Sequence, residues 1–210
     1  MLRLYRWSRP TLSLGRHQQR WPEHWRTLAQ AGLIDLVRRP SGGRAVLHAG
    51  DLTYALVMRP AARQREQAYR QACGWLQHAF AAAGEPLGFG PGGGAAAQQR
   101  SNCFATATAA DLVGPRGVKR IGSAQLWQGP VLLQHGSVLL EPPPALWMQV
   151  FGEMPPALAP LPWQGMVLEH QLRAAAQQHL CGGALKEQAL SPGEWAAVEQ
   201  IQRSAEVGAR

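Results

Sequence analysis

Between residues 101 and 140 the chain breaks into short apolar runs, each closed by glycine or proline: SNCFATATAADLVGP, then RGVKRIGSAQLWQGP, then VLLQHGSVLL. Runs of this length and composition read as consecutive β-strands. A string of strands needs an apolar cover, and the flanking segments supply one. Residues 62–83 place Tyr69, Cys73, Leu76 and Phe80 at helical spacing, which predicts a long amphipathic helix. MVLEHQLRAAAQQHL (166–180) reads as a second helix, stopped by Gly182-Gly183. SPGEWAAVEQIQR opens a third, with Ser191 and Glu194 as a capping box and Pro192 at the first helical position.

Ahead of these, LRLYRWSRPTLSLG (2–15) predicts a strand and a turn, with Pro10 confining it to an edge or a strand end. HWRTLAQAGLIDLV (24–37) predicts a short helix stopped at Gly32 and running into a strand, and RRPSGGRAVLH (38–48) a turn and then a strand. PLGFGPGGGAAAQQR (86–100) is a Gly/Ala-rich loop with too little character to carry a motif. Strands in the middle with helices around them make an α+β protein, and 210 residues suit one domain, 1–210.

Composition narrows the function. No apolar run approaches the roughly 20 residues of a membrane span, and the N-terminus lacks the apolar core of a secretory signal. Three cysteines (Cys73, Cys103 and Cys181), odd in number and widely spaced, fit neither a disulfide framework nor a zinc site and point to the reducing cytoplasm. A formal net charge of +8 suits acidic partners. The arginines are scattered and no nucleic-acid-binding signature accompanies them.

Two segments carry the chemistry. In the first, Ser41-Gly42-Gly43 lets the backbone approach a ligand closely, with Arg39 and Arg44 for an anionic or carbonyl group, Ala45 and Val46 as apolar wall, and His48 closing the strand. In the second, Lys119 precedes Gly122-Ser123-Ala124, and His135-Gly136-Ser137 follows the apolar run 131–133. A pocket built from both would be an apolar tunnel with one polar end, suited to an acyl chain with a reactive carbonyl. Taken alone, the SGG turn reads as a hairpin, His48 as a structural histidine and Lys119 as a surface lysine. Cys103 has polar neighbours, Ser101 and Asn102, and follows a loop, unlike Cys73 on its apolar helix face, which belongs to the core.

RRPSGGRAVLH followed by Leu52-Thr53-Tyr54, then K-x-x-G-S-A-Q, then L-Q-H-G-S, with Cys103-Phe104 between, resembles the lipoate- and biotin-protein ligase superfamily, and most of all its LipM-type octanoyltransferases. The resemblance runs from about Leu4 to about Leu140. It implies mixed, largely antiparallel sheets flanked by helices, the biotin/lipoate-protein ligase catalytic fold, which is like that of class II aminoacyl-tRNA synthetases. It also implies a reaction: an octanoyl group passes from acyl carrier protein to a cysteine, then to the lysine of a lipoyl domain such as glycine-cleavage H protein. The matching nucleophile is Cys103, and Lys119 is the cation that keeps it as thiolate. A free thiol titrates near about pH 8.5, so a neighbouring ammonium is what leaves useful thiolate at neutral pH. Thioester exchange needs no cofactor. ATP would enter only if the chain were a lipoate- or biotin-protein ligase, the alternative reading; a non-catalytic acyl-binding module is a third.

Against the family pattern, the 210 residues offer no counterpart of the helix and strand that usually precede the segment matching LYRWSRPTLSLG, and the chain is expected to lack these and the C-terminal accessory domain of many ligases. Ala49 also stands where the family commonly has aspartate after His48, so the supporting role of that carboxylate is expected to be lost.

Overall fold

Gly129, at a φ of 56°, turns the chain between its two longest strands. These are β8 (Lys119–Gln128) and β9 (Val131–Leu139), which pair antiparallel from Gln128–Val131 back to Ile121–Val138. The structure is a computed structural model. It describes residues 1–61, 64–91, 102–183 and 185–207, with backbone only for 202–207, so Ser101 and most of the Gly/Ala-rich loop lie outside the described residues.

The hairpin is the centre of a six-stranded antiparallel sheet. On one side β9 pairs with β5 (Asp51–Met58), and β5 with the edge strand β1 (Leu2–Tyr5). On the other, β8 pairs with β7 (Leu112–Val113), and β7 with β6 (Gly88–Phe89). The expected N-terminal strand is therefore two strands in two sheets. Past Pro10 the chain enters β2 (Thr11–Leu14), the middle of a three-stranded sheet in which β3 (Asp35–Arg38) lies parallel and β4 (Val46–His48) antiparallel to it. A proline cannot donate to a ladder, and Pro10 only accepts, from Asp35 N–H at 2.8 Å. The sheets are mixed, largely antiparallel and flanked by helices, an α+β fold.

Successive residues of a strand face opposite ways, and that alternation divides the core in two. Val138 points to a cluster with Leu52, Tyr54 and Ile121, covered by α2 (Arg65–Ala82) through Cys73, Trp75, Leu76 and Phe80 and by α4 (Gly165–His179) through Leu168 and Leu172. Leu139 points the other way, into a cluster with Leu12, Ile34, Leu47 and Phe104, covered by α1 (His24–Gln30) and α3 (Pro144–Phe151) through Trp25, Trp147 and Val150. Each such side chain contributes about 1.5–3 kcal/mol by leaving water. Trp25 Nε1 donates to Val150 O at 2.6 Å, tying α1 to α3.

The spacing in 62–83 and the capping box were both informative. Ser191 N donates to Glu194 Oε2 at 2.7 Å and Glu194 N to Ser191 Oγ at 3.3 Å, opening α5 (Pro192–Val207). The helix α3 had no counterpart in the sequence reading. Three prolines (Pro142, Pro143 and Pro144) precede it and mask its start, although Pro144 occupies the first turn, where no N–H is needed. Among the described residues no helix is long and apolar enough to cross a membrane.

Candidate active site

Cys103 opens a one-turn 3-10 helix (Cys103–Ala105), capped by Asn102, whose side-chain oxygen accepts from Phe104 N at 2.9 Å. Two main-chain contacts dock this turn on the first glycine segment. Cys103 N donates to Ala45 O at 2.9 Å, and Ala45 bridges Asn102 in parallel register. Phe104 anchors the turn in the core, which leaves the Cys103 sulfur at the boundary, half-buried.

Lys119, at the start of β8, comes to that sulfur from the sheet. Its ammonium lies 3.3 Å from Cys103 Sγ, donates to Cys103 O at 2.8 Å and pairs with Asp111 Oδ1 at 3.0 Å. An ammonium has three protons, and three partners are in place. The lysine and aspartate side chains keep only 2% and 4% of their exposure, so this is a buried ion pair, costly to break from either end. Asp111 is itself fixed, accepting from Thr108 N at 2.7 Å and Thr108 Oγ1 at 2.9 Å on its other oxygen. Gly122 makes room for this. A Cβ there would stand 3.0 Å from Lys119 Cε and 3.3 Å from Nζ, across the path the lysine takes back to the sulfur.

The first glycine segment is held by Arg39. Its guanidinium donates to Gly42 O (2.9 Å from Nη2), Arg44 O (2.6 Å) and Ser13 O (2.7 Å), so its donors organise the turn from within. Burial lowers Arg39 from its ordinary value, and the nearby Cys103 sulfur opposes that. Gly43 sits at a φ of 94°, where a Cβ would also press on Arg39 Nη2 at 2.9 Å. Above Gly42 the space is open. Arg44 reaches Thr106 Oγ1, a second link to the cysteine turn. Val46 is buried in the core.

The two segments meet at Ser41 Oγ and His135 Nε2, 2.5 Å apart. Burial, with Arg39 and His48 as neighbouring positive groups, pushes His135 down to about 4, so its ring is neutral at pH 7 and free to accept from the serine hydroxyl. His135 shares a cross-strand row with Ala55 and Ala124, and Gly122 shares one with Thr53 and Ser137. Two residues further along, Val57, Leu133 and Leu126 continue that face as a half-buried apolar strip.

Several expected site residues do not meet there. Ser123 and Gly136 lie on the intervening row and face the helices: Ser123 Oγ is 2.7 Å from Tyr54 OH, and a Cβ on Gly136 would fall 2.5 Å from the Tyr54 ring. The period-two alternation of a strand carries this signal, because Gly122 and Ala124 cannot share a face with Ser123. His48 and Ser137 are buried against a carboxylate. His48 Nδ1 donates to Asp51 Oδ2 at 2.8 Å and Ser137 Oγ donates to the same oxygen at 2.7 Å, while Ser13 Oγ stands 2.9 Å from His48 Nε2. With no carboxylate at position 49, the acid that His48 meets is Asp51, on the strand that follows. The apolar tunnel is not found in either of two cavities, one of about 300 Å³ beside Glu85 and Pro160 and one of about 610 Å³ between α1 and α3. Neither is lined by the sulfur or the glycine segments. Between those segments Ser41 meets His135, and Arg39 fills its own turn.

A thiol, an ammonium and a buried carboxylate thus follow one another beside a glycine turn and a face of small residues, an arrangement able to activate a sulfur nucleophile. Residues 1–153 match the family described as the lipoyl protein ligase A/B catalytic domain. The chain belongs to this family. Within reach of the lipoyl protein ligase A/B domains, the Octanoyltransferase LipM of Symbiobacterium thermophilum is 37% identical over 150 residues, covering 67% of this chain and 53% of that protein. The chain spans about half the length of the curated relatives it matches. Among solved structures, protein Ta0514 of T. acidophilum superposes with a TM-score of 0.77 at 17% identity, covering 97% of this chain and 81% of the other. Lipoate-protein ligase A bound with ATP superposes with a TM-score of 0.75 at 17% identity, over 95% and 80%. At such identities the likeness is one of fold.

Proposed function

We propose that the protein is an octanoyltransferase of lipoate biosynthesis, with Cys103 as the acyl carrier, and the observation that carries this is the Lys119 ammonium 3.3 Å from the Cys103 sulfur. An ammonium at that distance favours the thiolate, the form that attacks. The likeness to Octanoyltransferase LipM points the same way. The thiolate adds to the carbonyl of an octanoyl thioester on acyl carrier protein. The C–S bond to the carrier breaks, the carrier leaves as thiolate, and the octanoyl group stays on Sγ. The neutral amine of a lipoyl-domain lysine, such as that of glycine-cleavage H protein, then adds to the new thioester. An amide forms, Sγ leaves as thiolate, and the proton lost by the amine balances the carrier thiol. The Lys119–Asp111 pair persists through both steps, so the buried ammonium keeps a counter-charge while the sulfur is acylated and neutral. No step consumes ATP.

The tail has a path along the face formed by Gly122, Ala124 and the strip Val57, Leu133 and Leu126. Seven methylene or methyl groups at about 0.8 kcal/mol each give on the order of 5 kcal/mol, enough to favour an eight-carbon chain with modest discrimination per carbon. The free thiols suit a cytoplasmic setting.

Mass spectrometry after mixing with octanoyl-acyl carrier protein, without ATP, tests the reading. A 1:1 octanoyl adduct on Cys103 that a lipoyl domain then discharges is the expected result. Transfer that survives Cys103→Ala and requires ATP makes the protein a ligase. Octanoyl binding with neither adduct nor transfer makes it a binding module.

A further inference from the structure

The turn 39–45 has two neighbours. On one side is the cysteine turn, through Cys103 N to Ala45 O. On the other is the loop 15–20, whose Arg16 N donates to Ser41 O at 2.9 Å and whose Gly15 lies so close to Gly43 that a Cβ would be 1.8 Å from its carbonyl oxygen. Arg38 holds this loop in shape, donating to Gly15 O at 2.9 Å and Gln18 O at 3.0 Å. The loop is therefore separated from the cysteine turn only by the glycine turn, which it packs against.

What the loop displays is positive charge. Residues 15–22 and 38–44 contain five arginines and no aspartate or glutamate, and the next acid along, Glu23, is matched by Arg26 at 3.5 Å. Arg39 and Arg44 turn inward, but Arg16 and Arg20 are exposed, and among the described residues their side chains have no hydrogen bond or ion pair. Elsewhere the exposed Arg6, Arg9, Arg70 and Arg173 are each paired with an acid, whereas Arg59, Arg65 and Arg116 are exposed and, among the described residues, have no ion pair either. What sets Arg16 and Arg20 apart is their place: two unmatched cations on a braced loop that packs on the glycine turn next to Cys103.

We propose that the loop 15–20, through Arg16 and Arg20, is the docking surface for the acidic carrier protein that delivers the acyl group. This rests on the acyltransferase reading. Charge separates the donor from the acceptor: the acceptor brings a lysine, and hence a positive charge, through the same mouth, which a cationic rim disfavours, whereas an acidic donor is drawn in.

The test compares two donors, octanoyl-acyl carrier protein and the small uncharged thioester octanoyl-N-acetylcysteamine, on the full chain and on Arg16→Glu/Arg20→Glu. The rate of Cys103 acylation is read by intact-protein mass spectrometry. Charge reversal is expected to lower the second-order rate with the carrier about tenfold or more at low salt. It should also abolish the slowing that about 0.5 M salt imposes on the unmodified protein, and leave the small donor within about twofold. Equal rates with the carrier before and after substitution overturn the proposal, as does an equal loss with both donors, which would mean a damaged site. A defect confined to discharge onto the lipoyl domain overturns it in favour of acceptor docking. Failure of the unmodified protein to be acylated by either donor is a different result, which removes the acyltransferase reading and this proposal with it.

Discussion

Two cysteines of this chain lie on opposite faces of one sheet, and their surroundings give them opposite characters. Cys73 is buried on α2 and accepts a bond from the neutral amide Gln134 Nε2 at 3.0 Å, beside Tyr54. Burial pushes its thiol up to about 11, with the Gln134 bond only partly offsetting this. Cys103 is half-buried and has an ammonium at 3.3 Å. Each sulfur has one good donor nearby. What sets the proposed nucleophile apart from a packing residue is that its donor carries a full charge and that its cysteine is only half-buried.

The sharpest way to break this contrast is to delete each sulfur in turn. Cys103→Ala is expected to abolish the octanoyl adduct and cut transfer by at least about 10³-fold. Cys73→Ala should leave transfer within a few-fold and lower the melting temperature. If the adduct maps to Cys73, the contrast is wrong. A smaller effect follows from removing the charge while keeping the shape. Lys119→Met is expected to slow both acylation and iodoacetamide labelling of Cys103 about 10- to 100-fold, while Cys73 stays unlabelled in the folded protein. Labelling rates that match the unmodified protein across pH 6–9 would falsify the role given to the ammonium.

Asp111 sharpens the comparison from behind the lysine. Asp111→Asn leaves a buried ammonium without its counter-ion and is expected to cost about 3 kcal/mol in urea unfolding. Asp111→Asn/Lys119→Met should recover most of that stability and none of the transfer. A double variant no more stable than the single one would mean that the pair is not coupled.

The smallest effect concerns acid. His135 titrates near 4 in the folded protein and near 6.5 in the unfolded chain, so between those values protons bind the unfolded chain preferentially. Stability from this group is complete above about pH 6.5, is lost as the pH falls toward 4, and loses no more below that. His135→Gln should flatten the fall in unfolding free energy over that window, and an unchanged slope would remove His135 as its source.

Much of the site was legible because it depends on residue type. Glycine at 43 and 122, a cysteine after a loop and a lysine before G-S-A-Q are visible in a linear string, and the structure brings Cys103 and Lys119 together. What the string hid depends on the third dimension. Asp111 sits between a turn and the start of β7 with nothing local to distinguish it, and only the β7–β8 pairing brings it to Lys119. Asp51 meets His48 and Ser137 through one oxygen, a convergence of β4, β5 and β9 that no local spacing announces. Ser123 and Gly136 were legible but misread: their motif spelled a site, while the period of the strand put them on its far side. In the fold, α3 was lost behind its three prolines, whereas the capping box of α5 announced itself with a serine and a glutamate.

The bond from Cys103 N to Ala45 O joins the nucleophile to the glycine turn through peptide atoms alone. That bond asks nothing of side-chain identity, whereas the Asn102 cap and the buried Phe104 ring, which also hold the turn, do, so exchange at the entrance is confined to residues that leave those two in place. Length is the variable the arrangement does not tolerate. Adding or removing one residue between Arg39 and Val46 would slide the register and withdraw the anchor, so variation at this mouth is confined to exchange of residues at fixed spacing.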